Sequence, residues 1–430
     1  MKTTIDATQA DDGAQAEGSW LRTLNPNEKR TLTASFSGYA VDAFDYYTLT
    51  LVTPILLFLW GMSKTEVGFI GTATLVASAL GGWLAGILAD RYGRVRILQL
   101  TILVFAIFTF ACGLAQTPEQ LLIARTLQGL GFGGEWAVGS VLIAEMIRPA
   151  YRGKAVGLVQ SSWAVGWGAA VLVSMALFSF LPPEVSWRVM FLLGLLPAVL
   201  IVFIRRSIRD PEIYVQTRAA IARGERSGNF LAIFKPGILG TTVLASLLFT
   251  GMQGGYYAIG VWLPTFLKNE RHLTVLGSGG YQFMFIVGAF IGYLCGAYLS
   301  DRLGRRLAFI LFAIGAGTLV YAYTLLPITD GLMLVLGFPL GFFMSGIFSG
   351  AGAFLAELFP NEIRGSGQGF CYNFGRGIGS TFPALVGLLS DKMHFSLATA
   401  IGLCAGTAYA LVVIAAFVLP ETRGRDLRQN

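Results

Sequence analysis

Apolar runs long enough to cross a lipid bilayer recur along this chain, and no other feature limits its fold so strongly. A helix rising 1.5 Å per residue needs about 20 such residues to traverse a ~30 Å hydrocarbon core. Runs of this kind are read near residues 32–59, 66–89, 97–116, 119–142, 154–180 and 187–204. A second set is read near 238–264, 277–299, 307–326, 331–355, 366–390 and 395–419. Inside lipid every main-chain polar group must be satisfied within the protein, so runs of this length predict helices. The expected fold class is therefore all-α: a polytopic membrane protein with twelve transmembrane helices. Only 13% of the residues are charged, against roughly 25% in soluble domains, which excludes an ordinary water-soluble enzyme.

The net charge of +7 raises the question of a nucleic-acid partner, and the placement of the basic residues answers it. With the N-terminus inside, 24 of the 31 lysines and arginines fall in the tails and inner loops. Five lie on the outer side (Lys64, Arg188, Lys268, Arg271 and Lys392), and Arg125 and Arg376 lie within spans. This bias is the positive-inside rule at work. It predicts two cytoplasmic termini and a lipid bilayer as surroundings, with no nucleic acid required. The polar residues 1–31 lack the apolar core of a signal peptide and read as a disordered cytoplasmic tail. Residues 207–236 read as a cytoplasmic linker between bundles at 32–206 and 237–419, and 420–430 as a second cytoplasmic tail.

The chain repeats itself. Gly86-Ile-Leu-Ala-Asp90-Arg91-Tyr-Gly93-Arg94 follows the second run, and Gly296-Ala-Tyr-Leu-Ser-Asp301-Arg302-Leu-Gly304-Arg305 follows the eighth, 211 residues on. Glu145 and Arg152 after the fourth run recur as Glu357 and Arg364 after the tenth, 212 residues on. Agreement at two separate loops points to two pseudo-symmetric six-helix halves. The paired acids and arginines form candidate charge networks at helix ends, where they could tie helices together on the cytoplasmic side.

Ionisable residues within the spans mark the candidate site, because each costs about 2.5–3.5 kcal/mol near the bilayer centre on insertion scales. Asp42 and Asp45 stand three residues apart in the first run and share a helix face. Asp45 lies about 20 Å from the cytoplasmic start of its helix, and Arg125 about 20 Å from the inner face along the fourth, so the two are expected at one depth. Glu135 follows in a glycine-dense segment that also holds Gly129, Gly131, Gly133, Gly134 and Gly139. Asp42, Asp45 and Glu135 are the candidate proton carriers. Arg376 in the eleventh run, one turn after Asn373, is the candidate partner of a substrate carboxylate, with Arg125 also charged for that role. Gln253, Tyr256 and Tyr257 of the seventh run and Tyr46 of the first complete the candidate binding set. These groups are expected to meet in one wet chamber near the midplane. Cys112, Cys295, Cys371 and Cys404 have no metal-ligand spacing, and His272 and His394 stand singly near outer loops, so neither a metal nor a cofactor is expected. Without a nucleophile elbow or a phosphate-binding loop, the chain does not read as an enzyme.

These motifs resemble the major facilitator superfamily of transporters over essentially residues 25–425. Pro420-Glu421-Thr422-Arg423-Gly424 is similar to its sugar-porter branches, and Arg125-Thr-Leu-Gln-Gly129 to its fourth-helix motif. Asp42-Ala-Phe-Asp45, Gly131-Phe-Gly-Gly-Glu135-Trp136 and Tyr372-Asn-Phe-Gly375 bring it nearer the organic-acid:proton symporters of the sialate and lactate type, with the aromatic-acid symporters close behind. The resemblance implies alternating access, helices 1, 4, 7 and 10 around a central cavity, and cytoplasmic latches built from Asp90, Arg91, Arg94, Glu145, Arg152, Asp301, Arg302, Arg305, Glu357 and Arg364. It further implies a monomer in a bacterial inner membrane that imports a small organic anion with protons. A sugar carrier, an efflux antiporter and a non-transporting substrate sensor are the alternatives.

Overall fold

The computed structural model describes residues 20–147, 149–195, 223, 230–273, 275–359 and 363–423. Among these the chain is helical and carries no strand. The first half runs α1 (Pro26–Leu59), α2 (Lys64–Tyr92), α3 (Arg94–Leu114), α4 (Pro118–Met146), α5 (Pro149–Phe180) and α6 (Pro183–Leu192). The second runs α7 (Leu239–Asn269), α8 (Val275–Leu303), α9 (Arg305–Leu325), α10 (Asp330–Gly346), α11 (Ala351–Leu358), α12 (Arg364–Gly379), α13 (Thr381–Lys392) and α14 (Leu397–Val418). Eight of the described helical segments are by themselves long and apolar enough to cross a membrane. α4 and α12, which carry Arg125, Glu135 and Arg376, are not among them. The protein is thus a multi-pass membrane protein of the twelve-helix, two-bundle architecture.

The starts of the helices are written locally. Asn25 and Glu28 form a reciprocal capping box at α1, Ser63 and Glu66 do the same at α2, and Thr117 caps α4. α1 therefore begins six residues before the apolar run does, and a short helical turn at Trp20–Thr23 precedes it. Residues 20–31, expected within a disordered tail, are helical for the most part. The tenth and eleventh runs, expected to be continuous, are each broken in two, the eleventh between Gly379 and Thr381. Most of the expected linker, 207–222 and 224–229, lies outside the described residues, as do 424–430.

Two features of the repeat receive a structural explanation. The turns joining α2 to α3 and α8 to α9 pivot on Gly93 (φ 108°) and Gly304 (φ 97°), a backbone region closed to residues with a Cβ. Within each half, several helix pairs approach main chain to main chain. A Cβ on Gly133 of α4 would collide with the Ser78 carbonyl of α2, and one on Gly341 of α10 with the Phe285 carbonyl of α8. Such small-residue seams pack membrane helices that gain nothing from the hydrophobic effect in lipid. The two histidines also find a role. His272 (φ 55°) and His394 (φ 57°) take the left-handed conformation just beyond the ends of α7 and α13, where a helix cap needs it.

The halves meet along α1–α7, α5–α8 and α2 with α12 and α13. At the helix ends away from the repeated loops, Lys64 Nζ donates to Ser390 Oγ at 2.8 Å. Asp391 Oδ2 accepts from the Thr65 amide and hydroxyl at 2.7 and 2.8 Å, and Thr72 Oγ1 donates to the Ser380 carbonyl at 2.6 Å. These bonds close the seam between the bundles at that end.

Candidate functional site

α1 delivers both of its acids to the protein interior, where Asp42 and Asp45 are buried. Asp45 Oδ2 accepts from Arg125 Nη1 at 3.0 Å and from Gln128 Nε2 at 2.6 Å. Arg125 and Gln128 lie three residues apart on α4, so one helix face presents both donors to one carboxylate. The guanidinium also faces the Phe191 ring, 5.7 Å from its centroid. The arrangement is a desolvated ion pair, which is costly to break by removing either partner alone.

Asp42 is held differently. Among the described residues no hydrogen-bond donor reaches either of its oxygens. Its interacting neighbour is another acid, Glu135 of α4, itself buried. Two carboxyls that face each other away from water stay together when one proton is held between them. The site thus contains one acid paired with an arginine and two further buried acids that interact with each other.

Arg376 stands in the last turn of α12, where the helix carbonyls favour a cation. Its Nη1 donates to Ser78 Oγ at 3.1 Å and its Nη2 to Tyr372 Oη at 3.3 Å, and its charge lies 5.0 Å from the Tyr372 centroid and 5.6 Å from that of Phe132. Ser78 belongs to α2, so this bond crosses between the halves. Gln253 of α7 supports the same region. It donates Nε2 to the Tyr372 carbonyl at 3.0 Å and accepts Tyr257 Oη at 3.0 Å. Asn373 Nδ2 donates to the Gly369 carbonyl at 3.0 Å, while its buried Oδ1 has no donor.

Aromatic rings wall the charged groups. Around Tyr46 stand Trp163 (5.6 Å between centroids), Tyr257 (6.0 Å) and Phe132 (6.2 Å), and the Tyr46 hydroxyl is buried without a partner. Tyr47 stacks flat on Trp167 at 4.0 Å, and its hydroxyl bonds that of Tyr256 at 2.6 Å across the two halves. Trp163 Nε1 donates to the same Tyr256 oxygen at 2.9 Å. These tyrosines expose a second copy of the internal repeat. Tyr46-Tyr47 precedes Pro54 in α1 as Tyr256-Tyr257 precedes Pro264 in α7, with 210 residues between matching positions. The sequence contained that signal, and the loop motifs drew attention away from it.

The structure therefore gathers Asp42, Asp45, Arg125, Glu135, Arg376, Asn373, Gln253, Tyr46, Tyr256 and Tyr257 at the centre of the bundle. It does not place them in an open wet chamber. Asp42 is 0%, Asp45 1%, Arg125 2% and Arg376 4% exposed, and the rings fill the space between them. The reason is the seam closed at the Lys64–Ser390 end, which brings α1 and α7 into contact. Gln128 and Ser78 were missed as site members. Gln128 was detectable as the residue three after Arg125, whereas Ser78 had no local signal.

At the helix ends that carry the repeated loops, Arg305 grips Glu357 through two bonds, Nη2 to Oε1 at 2.9 Å and Nε to Oε2 at 3.2 Å, and Thr422 Oγ1 donates to Glu357 Oε2 at 2.5 Å. Glu421 accepts the amides of Arg305, Arg306, Thr422 and Arg423. Partial burial works to raise the Glu421 pKa, but these four donors outweigh it and hold the carboxyl below the usual glutamate range. Glu357 was expected to pair with Arg364, but its described partners are Arg305 and Thr422. Arg302, expected in a latch, is exposed and sits 5.0 Å from the Tyr298 ring centroid. The side chains of Asp90, Arg91, Arg94, Glu145, Arg152, Asp301 and Arg364 lie outside the described residues.

A two-bundle helical membrane protein with charged groups buried at the seam between bundles is a membrane carrier and not an enzyme. The family model described as "Major Facilitator Superfamily" matches residues 35–332 and 282–430, and the chain belongs to that superfamily. It is 45% identical to a "Probable 4-methylmuconolactone transporter" of Cupriavidus pinatubonensis over 94% of both chains. It is 28% identical to the "Cis,cis-muconate transport protein" of Acinetobacter baylyi, covering 90% of this chain and 93% of the relative. Among solved structures, the xylose transporter XylE from E. coli in a partially occluded inward-open conformation superposes with a TM-score of 0.72. At 20% identity over 94% of this chain and 100% of that one, it supports the fold alone.

Proposed function

We propose that the protein imports a small planar organic carboxylate together with protons, by alternating access across a bacterial inner membrane. The observation that carries this reading is the Asp42–Glu135 contact, two carboxyls with no donor on Asp42, beside the Asp45–Arg125 pair and the ring-flanked Arg376. The acids supply a place for a proton. Arg376 supplies a planar fork that matches a carboxylate, and the rings around Tyr46 match a flat, unsaturated body. The relatives named for methylmuconolactone and muconate point to the same chemistry.

In this mechanism the anion takes Arg376 from Ser78 while a proton occupies the Asp42–Glu135 pair. Entry of a proton with an anion cancels its charge, so the membrane potential, about 2.3 kcal/mol per charge per 100 mV, does not oppose uptake. Asp45 and Arg125 neutralise each other until a second proton or the substrate separates them. The carrier acts as a monomer, and the Arg305–Glu357–Glu421 cluster holds the cytoplasmic ends of α8, α9 and α11 together during the cycle.

The test is uptake into proteoliposomes of radiolabelled cis,cis-muconate, benzoate, 4-hydroxybenzoate and lactate, with xylose as a control. Expected is accumulation of at least one acid under an inward proton gradient, abolished by a protonophore, by Asp42→Asn with Glu135→Gln, and by Arg376→Gln. Uptake of xylose alone, or acid uptake indifferent to protonophore and to these substitutions, refutes the reading.

A further inference from the structure

A cavity of about 40 Å³ lies between the halves on the outer side of the buried acids, lined in part by Leu51, Pro54, Ser174, Phe178, Lys268 and Gln282. Along α1 it opens one turn beyond Tyr47. Along α7, Lys268 stands twelve residues, about 18 Å, beyond Tyr256. The cavity is therefore what remains of the outer path above the Tyr47–Tyr256 bond. In this structure it has room for about one water molecule, so an organic acid could enter only if the ends of the bundles parted.

Two polar groups on its wall lack partners. Gln282 is 2% exposed, yet its Oε1 receives no hydrogen bond, an expensive omission for a buried amide. Lys268 has no ion-pair partner among the described residues. Of the other cations at this end, Lys64 donates to Ser390, Arg188 to the carbonyls of Gly113 and Ala115, and Arg271 pairs with Asp330 at 2.8 Å, while Lys392, like Lys268, is exposed with no ion-pair partner among the described residues. What sets Lys268 apart is its place on the cavity wall together with the buried, unpartnered Gln282 oxygen. The rest of the wall is apolar apart from Ser174, whose hydroxyl donates to the Val171 carbonyl at 2.8 Å.

We propose that Lys268 and Gln282 form an outer capture site for a hydroxylated organic carboxylate, distinct from the central site. The carboxylate meets Lys268 Nζ, a hydroxyl donates to Gln282 Oε1, and the apolar body lies against Leu51, Pro54 and Phe178. A cation at a narrow low-dielectric mouth raises the local concentration of anions and their rate of entry. This site rests on the acid-import reading, since only an importer gains from trapping an anion outside.

Initial uptake rates of 4-hydroxybenzoate and benzoate are measured over a concentration and salt series in wild type, Lys268→Gln, Lys268→Arg and Gln282→Leu. Expected for Lys268→Gln is a rise in KM of roughly 3–10-fold for both acids, largely overcome at saturating acid, with a flattened dependence on ionic strength. Lys268→Arg restores both KM and the salt dependence, and Gln282→Leu raises KM for 4-hydroxybenzoate more than for benzoate. Wild-type KM and salt dependence in Lys268→Gln overturn the capture site while leaving import intact. So does a loss confined to kcat, which marks a purely structural role. Wild-type protein that takes up neither acid under a proton gradient overturns the capture site, and failure of every acid in the wider panel overturns the import reading beneath it.

Discussion

Replacing Asp45 by asparagine keeps the side chain's shape and one acceptor oxygen but removes the charge that Arg125 faces at 3.0 Å. The guanidinium is 2% exposed, so it cannot turn to water for compensation. Stranding one member of a buried pair costs about 3–5 kcal/mol. Gln128, which donates to the same oxygen at 2.6 Å, retains its bond and moderates the loss toward the lower figure. For a chain of this size such a loss lowers the melting temperature by on the order of 5 °C. Removing both charges in Asp45→Asn with Arg125→Gln leaves two neutral amides within reach of each other and recovers much of that loss. The assay is thermal unfolding of detergent-purified single and double variants, analysed as a double-mutant cycle. A coupling energy near zero, with Asp45→Asn melting as wild type, refutes the claim that this pair is a dry, mutually dependent unit. Coupling with proton-driven uptake retained in both single variants leaves the pair structural and removes it from the transport cycle.

Three further outcomes are expected. Glu421 has a depressed pKa, so its contribution is present above the ordinary glutamate range near pH 4.5 and is lost as the pH falls through its lower folded value; the melting difference between wild type and Glu421→Gln shrinks in that acid window, and a constant difference refutes the hydrogen-bond account. Gly93→Ala and Gly304→Ala force a Cβ into a positive-φ turn and destabilise by about 1–2 kcal/mol each, whereas Gly71→Ala, which faces open space, leaves the melting point nearly unchanged. Asp391→Asn weakens the outer tie to Thr65, so a cysteine introduced at Ser174 beside the outer cavity reacts faster with a maleimide; equal rates show that the tie does not govern closure.

The number and order of the helices were legible in the sequence because lipid demands long apolar runs. Their beginnings were legible only where a cap such as Asn25–Glu28 was weighed beside hydropathy. The breaks in the tenth and eleventh runs were not, since glycines near Gly350 and Gly379 suit a tight helix crossing as well as an interruption. The charged residues of the site were legible for the same reason as the helices, since an ion in lipid needs a partner. Which acid meets which base was less so. Depth along the helices pointed to Asp45 with Arg125, but the Asp42–Glu135 contact depends on the rotation and closeness of α1 and α4. The hydroxyls of Ser78 and Tyr372 beside Arg376 belong to different halves or different turns, and small polar side chains of that kind leave no trace in a one-dimensional pattern.

The seams at Gly133 and Gly341 join helices through their peptide backbones, so the rigidity of each half owes little to the identity of nearby side chains. Apart from buried pairs such as Asp45–Arg125, residues that face the centre then carry less of the scaffold's packing and can change with less cost to it. A lineage built this way can diversify its diet one side chain at a time, while an alanine at either seam forces two backbones apart.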